Sequence, residues 1–517
     1  MAAEPVPIPA PQASRDLRAA AVGPLANRVS PKYLEEHTLL PLGLAEDGSL
    51  LVAVGGPLDP AVADELRQTY GRRISLVEAP AAEIQSAILS ASSEAPASLR
   101  AADLRAADVE VLAPEDEAID DLRALASQAP VIKLVNVILL EALRLRASDV
   151  HLESTVQGLR VRYRIDGVLQ EVSNPPRQYQ AAVISRIKIM ANLNIAERRL
   201  AQDGRIRLRL SDRELDLRVS TLPALHGESV VLRILDRGSG VPDLAELGMS
   251  DAVLTSFTRL IRIPHGIILV TGPTGSGKTT TLYGALRGIN QPAVKIVTVE
   301  DPVEYQIEGL TQIPVAAKGG LTFASALRSI LRHDPDIIMV GEMRDTETAE
   351  ISIQAALTGH LVFSTLHTND AAGGITRLAD MGIEPYLIAA TVRGLLAQRL
   401  VRMVCDGCAE PYEVSLGDLA RLGGMMLPSG QPTFRRGLGC DACGGSGYRG
   451  RTGIYELLAV TDELRARIVS GAPLDEIRRL GREQGTVPLR VDGWAKVCAG
   501  VTTIDELLRV TSDDEVG

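Results

Sequence analysis

The chain has 517 residues, enough for three or four domains at about 150 residues each and too many for one small binding module. Its 45% hydrophobic and 23% charged content excludes wholesale disorder, and Gly 46 with Pro 29 falls well short of a low-complexity share. A net charge of -11 and a 3% aromatic content exclude a protein that coats nucleic acid by charge or stacks bases over a broad surface. No run approaches 18 consecutive apolar residues, so no membrane-spanning helix is expected. The first twelve residues carry Glu4 and no continuous apolar core, which does not read as a secretory signal; a cytoplasmic location with reduced thiols is the expectation.

In chain order, residues 1–25 read as a flexible, Pro-interrupted tail. Residues 26–90 read as a small N-terminal α/β domain, with a strand at Leu50-Leu51-Val52-Ala53-Val54 and an amphipathic helix over 62–70. An Ala/Ser/Asp/Glu-rich linker is expected over 91–127. Residues 128–240 read as α+β. Apolar residues at 131, 134, 135, 138, 139 and 143 predict a helix, and alternation predicts strands at 161–165, 205–210, 215–219 and 230–235. Arg162 and Arg164 share a strand face, as do Arg205, Arg207 and Arg209. From 244 to 400, apolar strand runs alternate with helical segments, which predicts a parallel sheet covered by helices. A Cys/Gly-rich insert over 401–453 and a helical region over 454–517 complete an α/β multidomain chain.

The strand run Ile267-Ile268-Leu269-Val270 leads into Gly272, Pro273, Thr274, Gly275, Ser276, Gly277, Lys278 and Thr279, and Thr280 opens a helical stretch. This is the Walker A pattern G-x-x-x-x-G-K-[ST] between the strand and helix it requires. Glycines let backbone N–H groups curl around phosphate oxygens, and the helix N-terminus adds a positive dipole end. Lys278 is expected on the β and γ phosphates of ATP, and the Thr279 hydroxyl on Mg.

Two acidic sites follow at strand ends: Glu300, opening Glu300-Asp301-Pro302-Val303-Glu304, and Glu342, after Asp336-Ile337-Ile338-Met339-Val340-Gly341. Carboxylates there face the ligand crevice of a parallel sheet, where one can polarise a water while another holds the metal. His360 and His367 bound the next strand. An odd separation points them to opposite faces, so His367 is the candidate for sensing the γ phosphate, and His360 is equally well explained by a structural hydrogen bond.

Cys405, Cys408, Cys440 and Cys443 form two CxxC pairs with 32 positions from the second cysteine to the third. Two knuckles joined by a loop could hold structural Zn through four thiolates; a pair of disulfides is disfavoured in a reducing compartment. Cys498 has no partner at metal spacing and reads as a small apolar core residue.

The phosphate loop, the 300–304 acidic box, the 336–342 run and the 360–367 histidine box together resemble the secretion ATPases of type II secretion and type IV pilus assembly machines. Ala147-Ser148-Asp149-Val150-His151 and Gln202-Asp203-Gly204-Arg205 resemble that family's preceding domain. The likeness covers about residues 125–510 and is looser over 1–124. It implies a RecA-like P-loop ATPase core and a homo-hexamer at the cytoplasmic face of the inner membrane. It further implies partners among inner-membrane platform proteins, one bitopic and docking on the N-terminal domain, one polytopic. An acidic lipid surface is a possible contact, and nucleic acid is not expected.

The resemblance gives Glu300 and Glu342 roles in hydrolysis and carries arginines that reach the nucleotide onto Arg218 and Arg233, less securely onto Arg205. Arg is suited to that task because its planar fork binds phosphate oxygens bidentately. Arg207, Arg209 and Arg213 read instead as a solvated sheet face. The tetracysteine element favours an assembly ATPase, as in type II secretion, over a retraction type. The pilus assembly ATPase is the nearest alternative, and a RecA-like nucleic-acid motor a more distant one.

Overall fold

The computed structural model describes residues 34, 37–45, 49–56, 58–70, 72–85, 109–111, 129–210, 213–236, 240–316, 319–422 and 432–511. The expected tail over 1–25 and nearly all of the 91–127 linker lie outside these residues. The chain divides into two compact units, residues 1–105 with 172–175 and residues 106–171 with 176–517.

In the first unit, β1 (Leu39–Leu44) lies antiparallel to β2 (Leu50–Val54), which lies parallel to β3 (Ile74–Glu78). The crossover is the helix Pro60–Tyr70. Its Val62, Leu66 and Tyr70 recur every four residues on one buried stripe and close the core over Leu40, Leu50 and Val52.

The second unit holds two seven-stranded sheets. In the first, β4 (Val109–Val111), β5 (Ala147–Ser154), β6 (Leu159–Ile165), β7 (Val168–Ser173), β8 (Gln202–Leu210), β9 (Arg213–Ala224) and β10 (Gly227–Asp236) run in the order β4-β8-β9-β10-β5-β6-β7. The alternation predicted for Arg strands is what is seen: Ile206 and Leu208 are buried on β8 while Arg205, Arg207 and Arg209 are exposed. On β6 the outward Arg160 and Arg162 pair with Glu153. Helix Ala129–Arg144 buries Val131, Val135, Ile138 and Ala142 and accepts the Tyr163 hydroxyl on the Ile138 carbonyl at 2.7 Å.

The second sheet is the α/β core. Strands β11 (Gly266–Thr271), β12 (Ile296–Glu300), β13 (Thr311–Pro314), β14 (Ile337–Val340), β15 (Leu361–Leu366) and β16 (Val392–Val404) are mutually parallel. Past a small antiparallel ribbon of β17 (Ala409–Pro411) and β18 (Arg435–Gly437), β19 (Tyr448–Ala459) returns antiparallel to β16, and the order is β13-β12-β14-β15-β11-β16-β19. β11, β12, β14 and β15 are buried at every position, as continuous apolar runs covered on both faces must be. The sequence boundaries at 400 and 453 fall inside β16 and β19. Val401 and Val404 keep turning inward past 400, so the Cys-bearing segment leaves and re-enters the core between two of its own strands. The last helices, Asp462–Val469, Leu474–Glu483, Leu489–Cys498 and Ile504–Thr511, pack on this sheet with Trp494 and Cys498 in its core. None of the described helices is long and apolar enough to cross a membrane.

Candidate active site and metal centre

Central strand β11 has β15 on one side and β16 on the other, and the glycine loop leaves its carboxyl end. Gly272, Gly275 and Gly277 take φ of 146°, 80° and 87°. Cβ atoms on Gly272 and Gly277 would lie 2.4 Å from the Gln398 carbonyl oxygen and 2.7 Å from its Nε2, so both positions need glycine twice over. Helix Lys278–Ile289 starts directly on Gly277. Lys278 is 8% exposed, and its Nζ donates to the carbonyls of Gly272 at 2.8 Å and Pro273 at 3.0 Å. Burial lowers its pKa to about 8, against an opposing pull from Glu342.

Beside the loop is a cleft of about 540 Å³ walled by Thr274, Gly275, Ser276, Gly277, Lys278, Thr279 and Thr280 together with Glu300, Glu304, Glu342, His367 and Arg233. Glu300, the last residue of β12, is 3% exposed. Its carboxylate accepts from the Tyr283 hydroxyl, from Thr298 Oγ1 at 2.5 Å and from Gln312 Nε2 at 3.2 Å. Three donors hold it in one orientation. Burial, then the bond to Glu300, pushes the Tyr283 phenol well above its usual range, so it remains a donor. Glu342 lies just past β14, with Arg344 Nε 2.6 Å and His367 Nε2 3.8 Å from its Oε2. Desolvation first, then the Lys278 charge, holds His367 below the ordinary histidine value, so near pH 7 its ring is neutral.

His360 lies outside the cleft walls; its Nδ1 is 2.9 Å from the Ala355 carbonyl and 3.1 Å from Thr358 Oγ1, a local bond at the end of helix Thr346–Leu357. The two arginines differ. Arg233 reaches the wall, with Nε donating to Asp149 Oδ1 at 2.9 Å. Arg218 is not on the wall and holds Glu304, which is, at 3.2 Å. Asp149 belongs to the 147–151 motif, which thus aims an arginine at the cleft.

Sequence reasoning missed Arg344, Arg451, Tyr305 and Gln398. The first three wall the cleft, and Gln398 lies behind the loop. No spacing rule joins these to the glycine loop; only the strand order brings them there.

The four cysteines converge, with sulfurs all within 4.8 Å of one another. The Cys405–Cys440 and Cys408–Cys443 sulfurs are 3.9 Å apart and the Cys440–Cys443 sulfurs 3.7 Å. A disulfide needs about 2.05 Å. Four sulfurs at about 2.3 Å from one tetrahedral ion would lie about 3.8 Å apart, close to the 3.7 to 3.9 Å of these three pairs. Backbone N–H groups of Gly439, Cys440 and Gly447 donate to Cys408 and Cys443 sulfurs at 3.1 to 3.3 Å.

Residues 124–509 match the family described as Type II/IV secretion system protein, and residues 9–98 match the MshEN domain. The chain is 50% identical over 493 residues to "Type II secretion system protein E" of Xanthomonas campestris pv. campestris, covering 95% of this chain and 86% of that protein. It is 44% identical over 490 residues to "Type IV pilus assembly ATPase PilB" of Myxococcus xanthus, covering 94% and 86%. Among solved structures, the pilus retraction motor PilT with bound ADP superposes with a TM-score of 0.51 at 27% identity, over 72% of this chain and 95% of that one. With three quarters of its length inside one family's bounds, this chain belongs to the type II/IV secretion system protein family.

Proposed function

We propose that the chain is a Mg-dependent ATPase, assembled as a homo-hexamer, whose hydrolysis drives pseudopilus assembly in type II secretion. The observation that carries the reading is convergence: the glycine loop, Lys278, Glu342, His367 and Arg233 come from separate elements and wall one cleft. The loop fits a phosphate chain, because its glycines leave a cradle that a Cβ would fill and its lysine is buried against its own carbonyls.

Magnesium, held with ATP by the Thr279 hydroxyl, would offset charge on the phosphates. Lys278 exchanges two carbonyl partners for phosphate oxygens. We assign proton acceptance from the attacking water to Glu342, since the Glu300 oxygens are already held by three donors and suit a positioning role. Neutral His367 hydrogen-bonds at the γ-phosphate end. Arg233 supplies charge stabilisation, and Arg218 acts through Glu304. Cys405, Cys408, Cys440 and Cys443 hold one structural zinc, a closed set with no position for water. The first unit docks a bitopic inner-membrane protein, and a polytopic platform protein and acidic lipid are the further contacts, on the cytoplasmic face of the membrane.

A second reading, the type IV pilus assembly ATPase, is favoured by the 44% identity to PilB. The test is deletion in the host with return of the gene carrying or lacking Lys278→Ala. Loss of protein export, restored only by the active form, supports the first reading; loss of pili with export intact supports the second. Stimulation of the purified protein by DNA or RNA rather than by platform proteins and acidic lipid would overturn both.

A further inference from the structure

We propose that Gln398, on β16, is a positioning residue that holds the glycine loop in its phosphate-accepting shape before nucleotide arrives. The residue is 2% exposed, in the middle of a strand where the apolar Leu395, Leu396, Ala397 and Val401 are buried around it. A buried amide in such a place needs partners, and both ends of this one have them. Its Nε2 donates to the Ser276 carbonyl at 2.8 Å, inside the loop, and its Oε1 accepts from Thr281 Oγ1 at 2.7 Å, in the first turn of the helix that follows. One planar amide therefore spans the loop and the helix N-terminus and fixes the distance between them.

Its backbone does the same from the other side. The closeness of the Gln398 backbone carbonyl to Gly272, and of its side-chain Nε2 to Gly277, means that the loop is moulded on this residue at both ends. Thr281 is fully buried, so its hydroxyl has no water to turn to. An unbraced glycine loop samples many backbone states, and nucleotide binding would have to order it. Gln398 removes that cost in the free protein, which raises affinity for ground state and transition state alike. Such a role predicts a change in KM with little change in kcat.

The inference rests on the loop being the nucleotide site. Three full-length variants are compared with wild type by titration with a non-hydrolysable ATP analogue plus Mg and by steady-state hydrolysis. Gln398→Leu keeps the volume and removes both bonds; a roughly tenfold rise in Kd and KM is expected, with kcat within about twofold. Thr281→Val removes the bond to Gln398 and the hydroxyl's interaction with the Tyr455 phenol without changing shape, and is expected to shift both about threefold, with Thr281→Ser, which retains the hydroxyl, returning most of the loss. Should Gln398→Leu fail to fold, the Thr281 pair carries the test alone. Unchanged KM, or a fall in kcat at constant KM, overturns the positioning role. Lys278→Ala separates the two layers: if it binds the analogue as wild type does, the loop is not the nucleotide site and both readings fail. If it loses binding while the Gln398 and Thr281 variants do not, only the present inference fails.

Discussion

The cleft and the tetracysteine centre are both loops shaped around something small, and they are held in opposite ways. The glycine loop is set on the central strand of a sheet buried on both faces, and it is braced by neutral hydrogen bonds from Gln398 and by Lys278 turned onto its own carbonyls. These bonds are all within the protein, and beside the loop they leave an opening. In the cysteine element Cys405 is buried, while Cys408, Cys440 and Cys443 are half-exposed, with positive-φ glycines at 439, 444, 445 and 447 making the turns around them. Their order comes from the sulfurs and from backbone N–H groups aimed at them. The first site is made to be entered and left; the second is made to stay closed. The sheet core supplies the geometry of the cleft, whereas the cysteine cluster has its geometry from its own turns and sulfur contacts.

Four measurements break or sharpen that contrast. The largest effect is expected from Lys278→Ala, which should lower ATP turnover by about 10³-fold or more while leaving the thermal transition close to wild type, since the cleft's form comes from the sheet. Turnover near wild type would remove the cleft from catalysis. Next, Cys440→Ser should abolish the one zinc per chain found by elemental analysis and lower the melting temperature, because roughly 10 kcal/mol of metal-binding energy is available to such an element. Metal-free wild-type protein with an unchanged melting curve would show the knuckles to be self-sufficient.

Arg233→Ala should slow turnover by about ten- to a hundredfold, less than the roughly 10³ of a full arginine finger because the guanidinium is shared with Asp149. Unchanged turnover would return Arg233 to a solvated partner of Asp149. The smallest effect is in pH. Burial sets Lys278 near pKa 8 in the free protein, and phosphate charge would raise it, so nucleotide binds the protonated form. Affinity should be full below about pH 8 and fall as pH rises through it, by roughly five- to tenfold between pH 7.5 and 9. A flat profile to pH 9 would mean that Lys278 has an ordinary lysine pKa.

The cleft was legible in the sequence where its residues are contiguous. The loop from Gly272 to Thr279 and the acids at the ends of β12 and β14 follow from strand patterning and one short motif, because a parallel sheet brings its carboxyl ends together. Gln398, Arg344 and Arg451 were not legible. Each looks like an ordinary polar residue in its own segment and gains meaning only from which strands lie side by side. Arg218 shows another limit: a strand pattern tells which face it is on, while its engagement with Glu304 depends on how two sheets meet. The domain boundaries drawn at 400 and 453 followed composition, and composition changes at the cysteines whereas hydrogen bonding of β16 with β19 runs on past them.

That continuous pairing has a mechanical consequence. Gln398 and Cys405 are seven residues apart along β16 and its immediate end, roughly 23 Å at about 3.3 Å per residue. Arg402, between them, is pinned to the buried Glu506 at 2.8 Å. A strand so paired cannot creep by a single residue without turning Gln398 to the opposite face and away from the Ser276 carbonyl. The strand that carries Gln398 under the phosphate loop therefore also leads, past a bulge at Arg402–Val404, to the first cysteine of the cluster.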